Sequence, residues 1–298
     1  MVGTFTPLKP GEPIGVMALS GPVDPAKLVE GIAVLESWGH PVFQAPNLER
    51  REGFLAGSDE DRAKGLEWVL ERGARVVLAA RGGYGVTRLL PHLRMAEMAE
   101  AGVTFVGFSD LSALLNGMVG AGGGPQIHGP MAAAGLGRRR NAERLRAVLH
   151  GDLVGRTLFN FRGGHVLRSG RAEGRSVGGN LAMLSSSIGT SYEPDFSGSV
   201  LFLEEVGEPL YRLDRMLTHL WGSGRLRSVK ALICGSLRGC GPVRERADRW
   251  RELVEERVPE DVPIVMDLPF GHGATNLAFP IGARVEIDTD SGVIRWSE

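Results

Sequence analysis

Val103-Thr-Phe-Val-Gly-Phe-Ser109-Asp-Leu-Ser-Ala-Leu-Leu115 decides how the chain is read. Residues 103–108 are an apolar run, and Leu111 to Val119 carries a helical apolar period. Ser109 falls at the junction. An apolar run upstream, Arg75 to Ala80, has the continuous character of a strand buried on both faces. It leads into Arg81-Gly82-Gly83-Tyr84-Gly85. Further upstream, Ile14 to Leu19 ends in the turn Ser20-Gly21-Pro22. Asp24 then caps a helix opened by Pro25, with Leu28, Ile32 and Leu35 on one face. Pro41 to Gln44 is a further strand signal. Ser58 opens a capping-box-like helix start with Asp61 at its third position. Strands alternating with helices predict a parallel sheet with right-handed crossovers.

Downstream the pattern changes. Asn141 to Leu149 reads as a helix, and residues 151–170 read as an irregular, glycine-rich connection. Strand signals then recur at Val200–Leu203, Ala231–Cys234, Ile264–Met266 and Ala283–Ile287. Helical patterns lie between them at Tyr211–Trp221 and Ala247–Arg257. The expected organisation is an N-terminal α/β domain over residues 1–150, a linker over 151–170 and a smaller β/α domain over 171–298.

Composition narrows the function. The 298 residues hold 34 basic and 35 acidic side chains, a net charge of -1. That removes the broad attraction that nucleic acids and anionic membranes exert on basic proteins. No stretch has the ~18 apolar residues of a membrane-spanning helix. The first twenty residues do not have the pattern of a secretory signal, which predicts a cytoplasmic protein. Cys234 and Cys240 fit neither a redox pair nor a zinc quartet. The chain shows no HExxH or EF-hand pattern, so neither metal nor cofactor is expected. Glycine is about twice as frequent as usual, 43 of 298 residues. That excess directs attention to turns and close backbone approaches.

Four constellations could carry chemistry. Ser109 would sit at the C-terminal end of a parallel strand and at a helix N-terminus, where backbone N–H groups favour developing negative charge. The N–H of Asp110 would be one oxyanion donor. The plainer reading is that Ser109 or Asp110 only caps the helix. Arg81 and the glycines after it could hold a carboxylate, or could simply form a βα turn. His272, between two glycines, could be a general base or a solvated loop residue. Glu204 and Glu205 end an apolar strand, and alternation lets only one of them point at a site.

The motifs in order resemble the LD-carboxypeptidases, the muramoyltetrapeptide carboxypeptidases with the microcin C immunity peptidases as relatives. They are Arg81-Gly-Gly-Tyr-Gly85, Gly107-Phe-Ser-Asp110, His128-Gly-Pro130, Gly178-Gly-Asn-Leu181, Leu203-Glu-Glu-Val-Gly-Glu208 and Gly271-His-Gly273. The similarity runs from Ser20-Gly21-Pro22 through Leu55–Arg62 to Pro280-Ile-Gly282. It implies a Rossmann- or flavodoxin-like N-terminal domain with a swivelling-type C-terminal β/α domain. It also implies a serine peptidase with Ser109 as nucleophile, His272 as base and Glu204 as the orienting acid. Glu205 stands where the family has Asp. The oxyanion hole would use the N–H groups of Asp110 and of Gly83, with Gly82 second. Arg81 is the candidate for the substrate's free carboxylate. The implied substrate is a murein tetrapeptide losing its terminal D-alanine during peptidoglycan recycling, and the implied assembly is a homodimer. Two rivals stand beside this reading: a peptidase of aminoacyl-adenylate analogues of the microcin type, and a non-catalytic two-domain binding protein.

Overall fold

The protein is described by a computed structural model over residues 3–162 and 165–297. Its strands are β1 (Ile14–Met17), β2 (Val42–Gln44), β3 (Val76–Ala79), β4 (Thr104–Gly107), β5 (Gln126–His128), β6 (Thr157–Asn160) and β7 (Val166–Arg168). They continue with β8 (Arg171–Asn180), β9 (Ser199–Val206), β10 (Ala231–Arg238), β11 (Ile264–Val265), β12 (Phe279–Ile281), β13 (Arg284–Asp288) and β14 (Val293–Trp296). The helices are α1 (Pro25–Glu36), α2 (Asp59–Glu71), α3 (Val86–Leu89), α4 (Met95–Glu100), α5 (Ser112–Gly120), α6 (Arg139–Leu149), α7 (Leu181–Ser187), α8 (Leu210–Gly222) and α9 (Val243–Arg257).

Among the described residues the strands form two sheets. The first has the order β12-β5-β4-β3-β1-β2. It is parallel except for β12, which runs antiparallel to β5. Without β12 this is the flavodoxin-like order 2-1-3-4-5, whose crevice opens where the order reverses beside β1 and β3. Strands β1, β3 and β4 are buried at every position, as the continuous apolar runs require. Asp24 caps α1 and the Ser58–Asp61 capping box opens α2, both as the sequence predicts.

The second sheet has the order β6-β14-β13-β8-β9-β10-β11-β7. Its centre, β8 to β11, is parallel. Strands β13, β14 and β6 extend it antiparallel on one side, and β7 closes the other.

The expected division of the chain needs two corrections. Residues 151–170 are not an irregular linker, because they carry β6 and β7, the two edges of the second sheet. Edge strands pair on one side only and can be short, so they leave little apolar pattern. Residues 279–281 do not stay with the second sheet. As β12 they return to complete the first. The boundary drawn on composition therefore separates neither sheet cleanly.

The core follows this interleaving. One continuous apolar cluster includes Val16, Leu78 and Val106 of the first sheet with Phe202, Phe270 and Phe279. Phe202 and Phe279 stack at 4.5 Å, and Phe270 meets Phe279 edge-on at 5.1 Å. No described helix is long and apolar enough to cross a membrane.

Candidate active site

Three turns meet at the C-terminal ends of β1, β3 and β4. The Gly21 N–H donates to the Gly82 carbonyl at 3.2 Å, joining the first two across the point where strand order reverses. The third turn carries Ser109. Phe108 leaves β4 in extended conformation, and Ser109 then takes a left-handed φ of 65°. Only one other described non-glycine residue, Asp267, has positive φ. Such a conformation costs on the order of 1 kcal/mol or more and is held in place by its surroundings. A 3-10 turn over Ser109–Leu111 follows, and α5 begins at Ser112.

The capping alternative does not describe this junction. Neither Ser109 nor Asp110 caps α5 with its side chain. The Asp110 carboxylate, 1% exposed, accepts from the Ser20 hydroxyl at 2.7 Å and from the Val86 N–H at 2.9 Å. It thus ties the turns after β1 and β3 to the residue beside the nucleophile candidate. Burial raises its pKa, and the bonds from Ser20 and Val86 pull the other way. Buried Arg62 supports the same assembly, donating to the carbonyls of Leu19 at 2.6 Å and Gly85 at 2.8 Å.

Of the two glycine donors, Gly82 is the one packed on Ser109. A Cβ on Gly82 would stand 3.0 Å from Ser109 Cβ and 3.2 Å from its Oγ. The atoms nearest Gly83 belong instead to Gly21. Both glycines thus lie in the turn beside Ser109, with Gly82 in direct contact with it. Arg81 lines the cleft, with one guanidinium nitrogen bound to the Pro22 carbonyl at 2.8 Å.

The second sheet supplies the acid and the imidazole. Glu204, on β9, is fully buried. Its Oε2 accepts from the His272 backbone N–H at 3.2 Å and meets His272 Nδ1 at 2.6 Å. The turn that carries His272 must hug this carboxylate. Gly271 has φ 88°, and a Cβ there would stand 2.5 Å from Glu204 Oε2. The Gly271 N–H donates to Asn276 Oδ1, while the Asn276 N–H donates to Asn141 Oδ1 of α6, both at 3.0 Å. The histidine loop is thereby fastened to the first unit. Glu205 points away, as strand alternation requires. It accepts from Asn180, from the Ala182 N–H at the start of α7 and from its neighbour Val206. Burial pushes its carboxyl above the usual range against those bonds.

Phe108, the residue before Ser109, meets the His272 ring at 4.8 Å, and no hydrogen bond joins Ser109 to His272 among the described residues. His272 keeps 17% of its side chain exposed, on a cleft of about 790 Å³ between the two sheets. Beneath it lies His128, fully buried between Phe279, Phe270 and Phe108. Neither His128 nitrogen has a partner among the described residues. Burial pushes this imidazole down to about 4. It is a neutral filler of the aromatic core.

The roles of Ser20, Asn141, Asn276, Arg138 and Arg238 were not readable as chemistry in the sequence. Each is a common surface residue type in a loop or at an element end, and only the fold places it at the cleft. Among the described residues, no group of three or more His, Cys, Asp or Glu side chains could hold a metal ion.

Comparisons with known proteins agree with this architecture. The LD-carboxypeptidase N-terminal domain profile matches residues 14–129, and the LD-carboxypeptidase C-terminal domain profile matches residues 173–287. A Streptomyces coelicolor protein whose name calls it a carboxypeptidase is 41% identical, over 96% of this chain and 94% of the relative. The murein tetrapeptide carboxypeptidase of Pseudomonas aeruginosa is 35% identical over 88% of each chain. The crystal structure of muramoyltetrapeptide carboxypeptidase from Oxalobacter formigenes superposes with a TM-score of 0.81 at 29% identity, covering 95% of this chain and 97% of the other.

Proposed function

The chain belongs to the LD-carboxypeptidase family, and from that premise we propose that it removes the terminal D-alanine of a murein tetrapeptide through Ser109, His272 and Glu204. The observation that carries this reading is the 2.6 Å contact between buried Glu204 and His272. It engages Nδ1 and leaves Nε2 as the nitrogen for the serine proton. The Ser109 Oγ attacks the carbonyl of the L–D peptide bond as His272 takes its proton. The Asp110 N–H and a glycine N–H of the Gly82-Gly83 turn hold the oxyanion, each worth roughly 3 kcal/mol of barrier. His272 then protonates the leaving amine, and water releases the acyl group.

Strain at Ser109 supports the nucleophile role, because it aims a side chain that neither caps a helix nor packs in the core. The thiols are poor rivals. Cys234 and Cys240 are both buried, and burial pushes the Cys234 thiol up to about 12. The wall peptide would come from turnover inside the cell, the setting the sequence predicts.

Incubation with murein tetrapeptide followed by mass spectrometry tests the reading. Loss of one D-alanine is expected with the wild type, and none above background with Ser109→Ala. Equal cleavage by both proteins would remove Ser109 from the mechanism.

A further inference from the structure

The cleft is lined by arginines from both units, Arg81, Arg138 and Arg238. Among the described residues none of the three is paired with a carboxylate. Of the acids that share the cleft, Asp24 caps α1 and Glu30 lies on it, and Asp24 is engaged by Lys27 at 3.7 Å. Glu208, two residues past Val206, the β9 partner of Arg238, is held by Arg212 at 3.2 Å. Unpaired guanidinium groups on a cleft wall are receptors for carboxylates, because their planar fork presents parallel N–H donors.

We propose that Arg238 receives the terminal carboxylate of the departing residue and so confines the enzyme to the free C-terminal end of its peptide. This rests on the reading of Ser109 and His272 given above. The argument is one of bond lengths. His272 delivers its proton to the leaving nitrogen. The carboxylate carbon lies two covalent bonds beyond that nitrogen, about 2.5 Å away. Its receptor must therefore stand on the histidine side of the cleft. Arg238 does so: it ends β10, the neighbour of the strand that bears Glu204, and its Nη1 donates to the His272 carbonyl at 3.4 Å. That single long bond leaves most of its five N–H donors available.

Arg81 stands on the other wall. Its Nη1 is committed to Pro22, and it belongs to the turn that packs Gly82 against Ser109, the oxyanion side. Arg138 precedes α6 and has no described bond to the histidine loop. These two are placed to meet other carboxylates of an acidic peptide, not the one next to the leaving nitrogen.

The test compares two substrates, the tetrapeptide with a free C-terminus and the same peptide ending in a carboxamide. Wild type is expected to favour the acid about 10- to 100-fold in kcat/KM, the range of a charge-assisted hydrogen-bond pair. Arg238→Ala should lose that factor on the acid and change little on the amide. Arg238→Lys keeps the charge without the fork and should fall between. Arg81→Ala should keep the preference. A preference that survives Arg238→Ala overturns the assignment, as does an equal loss on both substrates, which marks a purely structural role. Equal turnover of acid and amide by wild type also overturns it. A wild type inactive on both overturns the functional reading beneath it, and this assignment with it.

Discussion

At Ser109 the backbone turns left-handed just past a fully buried strand, and its hydroxyl makes no side-chain hydrogen bond among the described residues. The neighbouring Asp110 makes the structural bonds instead, through Ser20 and Val86. His128 is the other residue whose environment departs furthest from its type. Its imidazole titrates at about 4 in the folded protein, against an ordinary value of 6.5. Between those values the unfolded chain holds a proton that the folded chain does not. Stability therefore rises with pH through this window, and is lost as pH falls from about 6.5 toward 4. Full passage through it corresponds to about 3 kcal/mol. His128→Phe removes the titrating group and retains a ring in the aromatic cluster. The wild type should lose about 3 kcal/mol more than this variant between pH 7 and pH 4, read from urea midpoints. A constant gap between the two proteins would remove the desolvated imidazole as the cause. At this scale the sequence was informative where a residue type is unusual for its place. Serine after an apolar run and histidine between glycines were visible; the burial of His128 and the grip of Asp110 depend on contacts from distant segments.

Elements carry the next level of organisation. Helix α5 runs from the Ser109 turn into the second sheet, where Asn116 fastens it to β8. The Asn116 amide donates to the Gly178 carbonyl at 2.8 Å, and its Oδ1 accepts from the Gly178 N–H at 3.3 Å. Ser112, one helical turn earlier, accepts from the Asn180 N–H at 2.9 Å. Asn116→Ala should strand both buried Gly178 groups and cost about 2–3 kcal/mol, measured by chemical denaturation. A loss under 0.5 kcal/mol would mean that water replaces the amide. Strands β1 to β4 and helices α1, α2 and α5 were legible because each announces itself locally, by a cap, a strand signal or an apolar period, while β5, α3 and α4 were not. Strand β8 was not. It reads Arg-Ala-Glu-Gly-Arg-Ser over its first six residues and ends in Gly178-Gly179-Asn180, residue types that strands disfavour. Its place is set by β9, β13 and α5 rather than by its own propensity.

For the whole molecule, the two sheets share one continuous apolar cluster. Phe279 of β12 belongs to the first sheet by hydrogen bonding and to the aromatic cluster of Phe202 and Phe270 by packing. Heating should give a single transition whose calorimetric and van't Hoff enthalpies agree. Phe279→Ala should lower it by about 3–5 kcal/mol in stability without splitting it. Two separated heat-absorption peaks would show that the halves unfold independently. The sequence pattern conveyed two α/β halves but not their interleaving. A three-residue strand such as Phe279–Ile281 has too few residues for a period, and nothing local states which sheet it joins.

That returning strand also sets an order of events during synthesis. The Ser109 turn and the first five strands of its sheet are made early, yet β12 that closes the sheet's edge is made after the histidine loop. A growing chain carries Ser109 for more than half of its translation with neither His272 nor the β12 edge to complete the cleft. On the proposed roles of Ser109 and His272, the cleft is therefore complete only in a late step, once Ile281 has cleared the ribosome.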